Sequence, residues 1–237
     1  MGQPLNPAPT HAVLFDVDGT LIDSTYFHTV AWWLAFRKAG HTVPQSTIHR
    51  SIGMGGDKLT ARALGRDVGT DEEQELKDGH DAIFSTFWPH LVRFDGAREL
   101  VERCHDAGAA VVLASSAKQR ELDVLREALD ADAWITAATS SSDADQSKPA
   151  PDIVEAALSS AGVDADHALF VGDAVWDVQA CAQLSIPVIG VACGGTSEAE
   201  LDAAGALETH PGIRELLDGL EGSALGLFLE QARAAAP

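Results

Sequence analysis

The chain has 237 residues, 46% hydrophobic and 22% charged, a composition typical of globular proteins and unlike disordered, collagenous or coiled-coil chains. Its 36 acidic and 16 basic residues give a formal net charge of −20, which argues against binding to nucleic acid or to an anionic membrane surface. The three cysteines, Cys104, Cys181 and Cys193, are too scattered for a disulfide framework or a zinc site, so we expect reduced thiols and a cytoplasmic protein.

Neither a membrane span nor a secretory signal is expected. The longest apolar stretch, residues 186–193, is far shorter than the ~20 residues that cross a bilayer. Residues 1–10 are rich in proline and lack the basic and apolar regions of a signal peptide.

Short apolar segments alternate with amphipathic helical patterns over most of the chain. Apolar residues recur at the spacing of one helix face in residues 97–107, 121–129 and 152–161. Gly108 and Gly162 stand where two of these helices should end. This alternation predicts an α/β fold, a Rossmann-like three-layer core with a parallel sheet and ligands at the carboxyl ends of its strands. The predicted strands are residues 12–17, 109–115, 134–138, 168–172 and 186–192.

One long interval interrupts the alternation, because the first strand ends near Asp18 and the next begins only at residue 109. Helical patterns at residues 27–39, 59–64 and 71–88 fill this interval, which is too long for a structureless loop. Trp32, Trp33 and Phe36 have the spacing of residues packed inside such a unit. We predict an inserted α-helical cap of four-helix type over residues 24–91, and a core over residues 1–23 and 92–237.

Two carboxylates stand at the end of the first strand. Asp16 and Asp18 bracket one residue, and Gly19 and Thr20 then turn the chain. Carboxylates this close together are costly unless they share a cation or a proton. A structural turn is the alternative interpretation, since Asp-Gly is a common turn dipeptide.

Further polar residues follow the other predicted strands. Ser115 ends the second strand, Lys148 precedes a helix in the run SKPAPD, and Asp173 with Asp177 follows the fourth strand beside Gly172. Each alone has an ordinary structural explanation, such as a strand end, a solvated loop lysine or a helix N-cap. Together, at successive strand ends, they favour one shared site.

These residues resemble the motifs of the haloacid dehalogenase-like hydrolase superfamily. The run DVDGT at Asp16 resembles its first motif, Ser115 its second, Lys148 its third, and Gly172–Asp173 with Asp177 its fourth. The four motifs occur along the chain in the same order as in that superfamily, and the resemblance covers nearly the whole chain. The insertion between the first two motifs is similar to the helical cap of the phosphoglycolate-phosphatase and β-phosphoglucomutase branch.

Physical reasoning and the resemblance assign matching roles. Phosphate monoesters resist attack by water, so a covalent route through Asp16 as nucleophile divides the barrier. Asp18 would protonate the leaving oxygen and then activate water, and we expect crowding by other carboxylates to raise its pKa. Lys148 would neutralise the phosphoryl oxygens while Ser115 donates a hydrogen bond to them.

The clustered carboxylates and a phosphate require a hard cation, and Mg²⁺ fits. The resemblance implies the Asp16 carboxylate, the Asp18 main-chain carbonyl and Asp173 as direct ligands, with Asp177 direct or through water.

Several weaker signals concern the substrate. We expect Gly19, Thr20 and Ser116 beside the phosphate, while His28 matches a histidine of many capped relatives and either orients the cap or only packs.

The glycine-rich residues 52–60 resemble a cap loop that touches the leaving group, with Lys58 and Arg62 as candidate contacts or solvated helix residues. The fourth motif departs from the family at Ala174, where relatives often carry Ser or Thr. Trp176 beside it is interpreted either as a packing residue or as a substrate contact.

The sequence therefore predicts a Mg²⁺-dependent phosphatase that hydrolyses a small phosphorylated metabolite through an aspartyl phosphate. A β-phosphoglucomutase-like phosphoryl transferase shares every core residue and remains the alternative. A dehalogenase, a phospho-accepting receiver domain and a degenerate binding protein fit less well. We expect a monomer or weak homodimer.

Overall fold

The computed structural model describes residues 9–235, and within them six strands form one sheet in which every pairing is parallel. The strand order is β3-β2-β1-β4-β5-β6, so the first strand lies near the centre. The strands are β1 (Ala12–Phe15), β2 (Ala110–Ala114), β3 (Ala137–Thr139), β4 (Ala168–Gly172), β5 (Val188–Val191) and β6 (Glu208–His210).

Helices cover both faces of this sheet, which gives the three layers predicted from the sequence. Along β1, Val13 and Phe15 belong to one apolar cluster and Ala12 and Leu14 to the other, because successive side chains point to opposite faces. The first cluster includes residues of α5 (Ala97–Asp106), α6 (Gln119–Leu129), α10 (Ile213–Asp218) and α11 (Ala224–Ala235); the second includes residues of α7 (Asp152–Ala161), α8 (Val175–Ala182) and α9 (Glu198–Ala204).

The interval between β1 and β2 is helical, as expected. Trp32, Phe36, Ile48, Leu59 and Leu76 form a third apolar cluster within it. Its elements are α1 (Thr25–Lys38), α2 (Gln45–His49), α3 (Gly56–Leu64), α4 (Thr70–Phe84) and a 3₁₀ segment, Ser85–His90. The α/β fold with an inserted helical unit is therefore confirmed, while the stated domain boundaries stay a prediction; residues 1–8 and 236–237 of the predicted core lie outside the described residues.

The first, second and fifth strands are one or two residues shorter at their ends than predicted, and two further details differ from the structure. The third strand begins at Ala137, because Trp134 lies in a 3₁₀ turn with its ring under the guanidinium of Arg98, 5.0 Å away. The edge strand β6 was not predicted, since Glu208, Thr209 and His210 form a short polar run without strand periodicity. Among the described helices, none has the length and apolarity that a bilayer crossing requires.

Candidate active site

The carboxyl ends of β1, β2 and β4 meet at one edge of the sheet. Phe15 pairs with Leu113 on one side and with Val171 on the other, so the three strands end together. Asp16 follows β1, Ser115 follows β2 and Asp173 follows β4, and all three side chains are buried. The parallel register thus brings residues separated by more than 150 positions to one place.

Lys148 joins this edge from the loop before α7. Its ammonium lies 2.6 Å from Oδ1 of Asp16 and 2.7 Å from Oδ1 of Asp177, with the side chain fully buried. Burial would lower the pKa of Lys148, but the charges of Asp16 and Asp177 outweigh burial and raise it. Lys148 is therefore a fixed cation that holds the two carboxylates together.

Thr20 and two glycines position the carboxylates of Asp16 and Asp173. The buried Thr20 hydroxyl lies 3.3 Å from Asp16 and 3.2 Å from Asp173, and its single hydrogen can be donated to one of them at a time. A Cβ on Gly194 would lie 1.7 Å from Oδ2 of Asp173, and one on Gly19 (φ +84°) would lie 2.5 Å from the same oxygen. Both positions must be glycine for the carboxylate to occupy this space.

The acidic cluster carries more negative charge than Lys148 neutralises. Oxygen atoms of Asp16, Asp173 and Asp177 lie within 4.8 Å of one another. Burial raises the pKa of Asp16 to about 7, with Lys148 opposing this and Asp177 adding to it. Burial also raises the pKa of Asp173 well above its usual value, and Asp16 adds to the effect. Buried carboxylate oxygens at this spacing suit a hard divalent cation.

Asp177 has its oxygens engaged by the protein. One oxygen accepts a hydrogen bond from the main chain of Ala174 at 3.1 Å, and the other faces the Lys148 ammonium. A Cβ on Gly172 would lie 2.5 Å from Asp177, so the glycine lets this carboxylate sit against β4. Because Asp177 belongs to the same group of carboxylates as Asp16 and Asp173, it is a candidate metal ligand, either directly or through water.

Asp18 lies beside the cluster in a different environment. Its Oδ1 accepts hydrogen bonds from Ser24 at 2.5 Å and from His28 Nε2 at 3.1 Å. Burial alone would raise the pKa of Asp18, but the charge of His28 and its hydrogen bond outweigh burial and lower the pKa. The expectation that crowded carboxylates raise this pKa is wrong, because a histidine from α1 is the nearer neighbour.

A chain of hydrogen bonds runs from Asp18 through two histidines to Asp81. His28 Nδ1 lies 3.0 Å from Nε2 of His80, and His80 Nδ1 lies 3.0 Å from Asp81. Assigned from its partners, His80 donates to the Asp81 carboxylate and accepts from His28. Nε2 of His28 then faces Asp18 and, at 3.7 Å, Glu121, so a proton must lie between His28 and Asp18. Burial raises the pKa of Glu121 to about 7, and His28 opposes this.

The two serines after β2 differ in their hydrogen bonds. The buried Ser115 hydroxyl accepts a hydrogen bond from the main chain of Ala117 at 3.0 Å, which leaves its own hydrogen free to donate. The Ser116 hydroxyl is buried without a hydrogen-bond partner among the described residues and belongs to a residue that lines the cavity. An unpaired hydroxyl at a cavity wall is available to water or to a bound ligand.

A cavity of about 360 Å³ opens between these residues and the helical insertion. Asp16 and Asp18 stand at its inner end, while Trp32, residues 52–57, Lys77, His80 and Asp81 line it from the insertion. Sequence reasoning missed His80, Asp81, Lys118 and Glu121, because no local motif links positions on α4 and α6 to the first strand.

Three residues that the sequence left open as substrate contacts or as structural residues lie outside the cavity lining. The ammonium of Lys58 donates to the main-chain carbonyl of Ser147, and the guanidinium of Arg62 lies 4.9 Å from the ring of Trp176. None of Lys58, Arg62 and Trp176 lines the cavity. Trp176 packs beside Gly53, where a Cβ would lie 3.2 Å from its ring, and this contact of α8 with the cap loop agrees with its interpretation as a packing residue.

Comparison with known proteins agrees with this arrangement. The family model described as haloacid dehalogenase-like hydrolase matches residues 10–184, about three quarters of the chain. The chain belongs to this family. Within it, the predicted enzyme class, a hydrolase, is confirmed.

Relatives of this hydrolase align along most of its length. A phosphoglycolate phosphatase from Pseudomonas putida is 25% identical over 94% of this chain and 84% of its own. The chloroplastic protein SUPPRESSOR OF QUENCHING 1 of Arabidopsis thaliana is 32% identical over 76% of this chain but only 18% of its own. The crystal structure of a hydrolase from Pseudomonas syringae superposes with a TM-score of 0.85 at 28% identity, covering 90% of this chain and 99% of that one.

Proposed function

We propose that this hydrolase is a Mg²⁺-dependent phosphatase that cleaves a small phosphorylated metabolite through an aspartyl phosphate on Asp16. The observation that carries the proposal is the fully buried ammonium of Lys148, 2.6 Å from Asp16 and 2.7 Å from Asp177 beside Asp173. Fixed positive charge next to a nucleophilic carboxylate suits transfer of a phosphoryl group. The similarity to a phosphoglycolate phosphatase supports the same class of reaction.

In the first step, a carboxylate oxygen of Asp16 attacks phosphorus and the bond from phosphorus to the leaving oxygen breaks. The proton held between Asp18 and His28, 3.1 Å apart, passes through Asp18 to the departing oxygen. Lys148 balances charge on Asp16 and on the phosphoryl oxygens. The free hydrogen of Ser115 is donated to one of those oxygens.

In the second step, Asp18 takes a proton from a water molecule that attacks phosphorus. The acyl phosphate bond breaks, phosphate departs and the Asp16 carboxylate is restored. His28 keeps Asp18 oriented between the two steps, and the helical insertion that walls the cavity limits access of other water molecules.

Asp16, Asp173 and the main-chain carbonyl of Asp18 would hold the cation, with Asp177 direct or through water. A bound Mg²⁺ neutralises carboxylate and phosphoryl charge. Thr20 and Gly194 hold the Asp16 and Asp173 carboxylates for this purpose. Ser116, Gly19 and the main chain of Thr20 complete the proposed phosphate environment.

The proposal is tested by hydrolysis of p-nitrophenyl phosphate with Mg²⁺ and with excess EDTA. We expect release of p-nitrophenol that depends on the metal and needs no sugar bisphosphate. Sugar-phosphate isomerisation much faster than phosphate release would identify a phosphoryl transferase instead.

A further inference from the structure

The part of the cavity beyond Asp16 and Asp18, which we call the outer cavity, must hold the leaving group. Apart from His28, which shares a proton with Asp18, its charged residues are unevenly balanced: four carboxylates against two ammonium groups. The carboxylates are Asp57, Asp81, Glu121 and Asp145, and the ammonium groups are Lys77 and Lys118.

Both lysines are already paired. The ammonium of Lys118 lies 2.5 Å from Oδ2 of Asp81, and that of Lys77 lies 2.6 Å from Oε1 of Glu73. Among the described residues that line the cavity there is no arginine. A second anionic group on a substrate would therefore have to share one of these lysines with a carboxylate that is already bound to it.

The neighbouring cations do not change this balance. Lys58 donates to the carbonyl of Ser147 and Arg62 lies over Trp176, and neither of them is among the residues that line the cavity. Lys148 is committed to the phosphate end by Asp16 and Asp177.

Helix N-termini are the remaining source of positive potential. Three line the outer cavity, those of the nine-residue α3, the eleven-residue α6 and the ten-residue α7. Each carries a carboxylate in its first turn, Asp57 in α3, Glu121 in α6 and Asp152 in α7. These carboxylates already make the favourable interaction with the helix dipole. An anionic ligand would otherwise make that interaction.

We infer that the substrate is a phosphomonoester whose leaving group carries no anionic group, such as a phosphorylated polyol or amino alcohol. This inference rests on the proposed function, and it separates this enzyme from a phosphatase for phosphoglycolate, whose leaving group bears a carboxylate. Trp32, which lines the outer cavity, offers an apolar wall to an uncharged or cationic group.

Turnover is compared for β-glycerol phosphate, O-phosphoethanolamine and 2-phosphoglycolate with Mg²⁺. We expect kcat/KM for at least one of the first two to exceed that for 2-phosphoglycolate at least tenfold. Equal or better use of 2-phosphoglycolate overturns the inference, while the proposed phosphatase activity stands.

A binding measurement tests the inferred substrate class independently of catalysis. Titration calorimetry of the same three compounds is run on the Asp16→Asn variant with Mg²⁺, where no turnover is needed. We expect 2-phosphoglycolate to bind at least fivefold more weakly than β-glycerol phosphate. This order would support the inference even if no substrate were hydrolysed, and the reverse order would overturn it.

A charge-reversal variant tests whether the negative charge of the outer cavity causes the expected substrate selectivity. Asp145 is exposed at the rim of the outer cavity, so Asp145→Lys adds an unpaired cation with little effect on folding. We expect the ratio of kcat/KM for 2-phosphoglycolate to that for β-glycerol phosphate to rise about tenfold. The control is Asp106→Lys at the end of α5, the same change at the opposite edge of the sheet, which should leave the ratio unchanged. An unchanged ratio in Asp145→Lys overturns the inference.

Discussion

Nδ1 of His28 on α1 lies 3.0 Å from Nε2 of His80 on α4, and the two rings stack with their centroids 5.2 Å apart. Because His80 accepts the hydrogen on Nδ1, His28 must present Nε2 to Asp18. Two helices of the insertion thus determine the orientation of the proposed acid and base.

His80 is a positioning residue in this arrangement. We expect His80→Leu to lower kcat about tenfold with little change in KM, since small misplacements of reacting groups are costly. His80→Gln should retain most activity, because an amide can accept from His28 and donate to Asp81. Steady-state kinetics of both variants measure this, and equal loss in both would mean that His80 only fills space.

His80 should also make stability depend on pH. Burial lowers the pKa of His80 to about 4 from 6.5. Between these values the unfolded chain binds the proton more readily, so His80 contributes stability above pH 6.5 that is lost as the pH falls toward 4. We expect the melting temperature of His80→Gln to fall less over this range than that of the natural chain. A parallel decline in both proteins would contradict the assignment.

The nucleophile is tested by Asp16→Asn. We expect at least a ~10³-fold loss of kcat, because an amide cannot form the acyl phosphate. The fold should persist, measured by circular dichroism and melting temperature. Retained turnover in this variant would exclude the covalent route.

The acidic cluster should make the protein more stable when Mg²⁺ is added. A ligand at one hundred times its Kd contributes about 2.7 kcal/mol, which for a chain of this size corresponds to roughly 5 °C or more in melting temperature. Asp173→Asn should remove most of this increase, while Asp106→Asn at the opposite edge should keep it. An equal increase in all three proteins would place the bound ion elsewhere.

Gly194 has a steric role that a methyl group would disrupt. A Cβ there would lie 1.7 Å from the Asp173 carboxylate, so Gly194→Ala must displace either the backbone or Asp173. We expect about a 100-fold loss of kcat/KM and weaker binding of Mg²⁺. Gly69→Ala is the matched control, because a Cβ at Gly69 meets no atom within 4 Å. Full activity in Gly194→Ala would contradict the claim that Asp173 needs the space left by Gly194.

The sequence by itself determined the α/β alternation, the helical insertion and the order of residues at the strand ends. These follow from short-range information: apolar periodicity identifies strands and helices, and residues that directly follow parallel strands must meet at one edge. Asp16, Ser115 and Asp173 could be grouped on that basis.

Tertiary structure alone decided what surrounds those residues. The low pKa of Asp18 depends on a histidine from α1, and the pairing of Lys118 depends on Asp81 from α4. Charge balance is set by side chains within a few ångströms, and packing of the insertion brings together positions that have no sequence relationship. The same packing directs Lys58 to Ser147, and it pairs the two lysines that line the outer cavity, Lys77 and Lys118, with carboxylates.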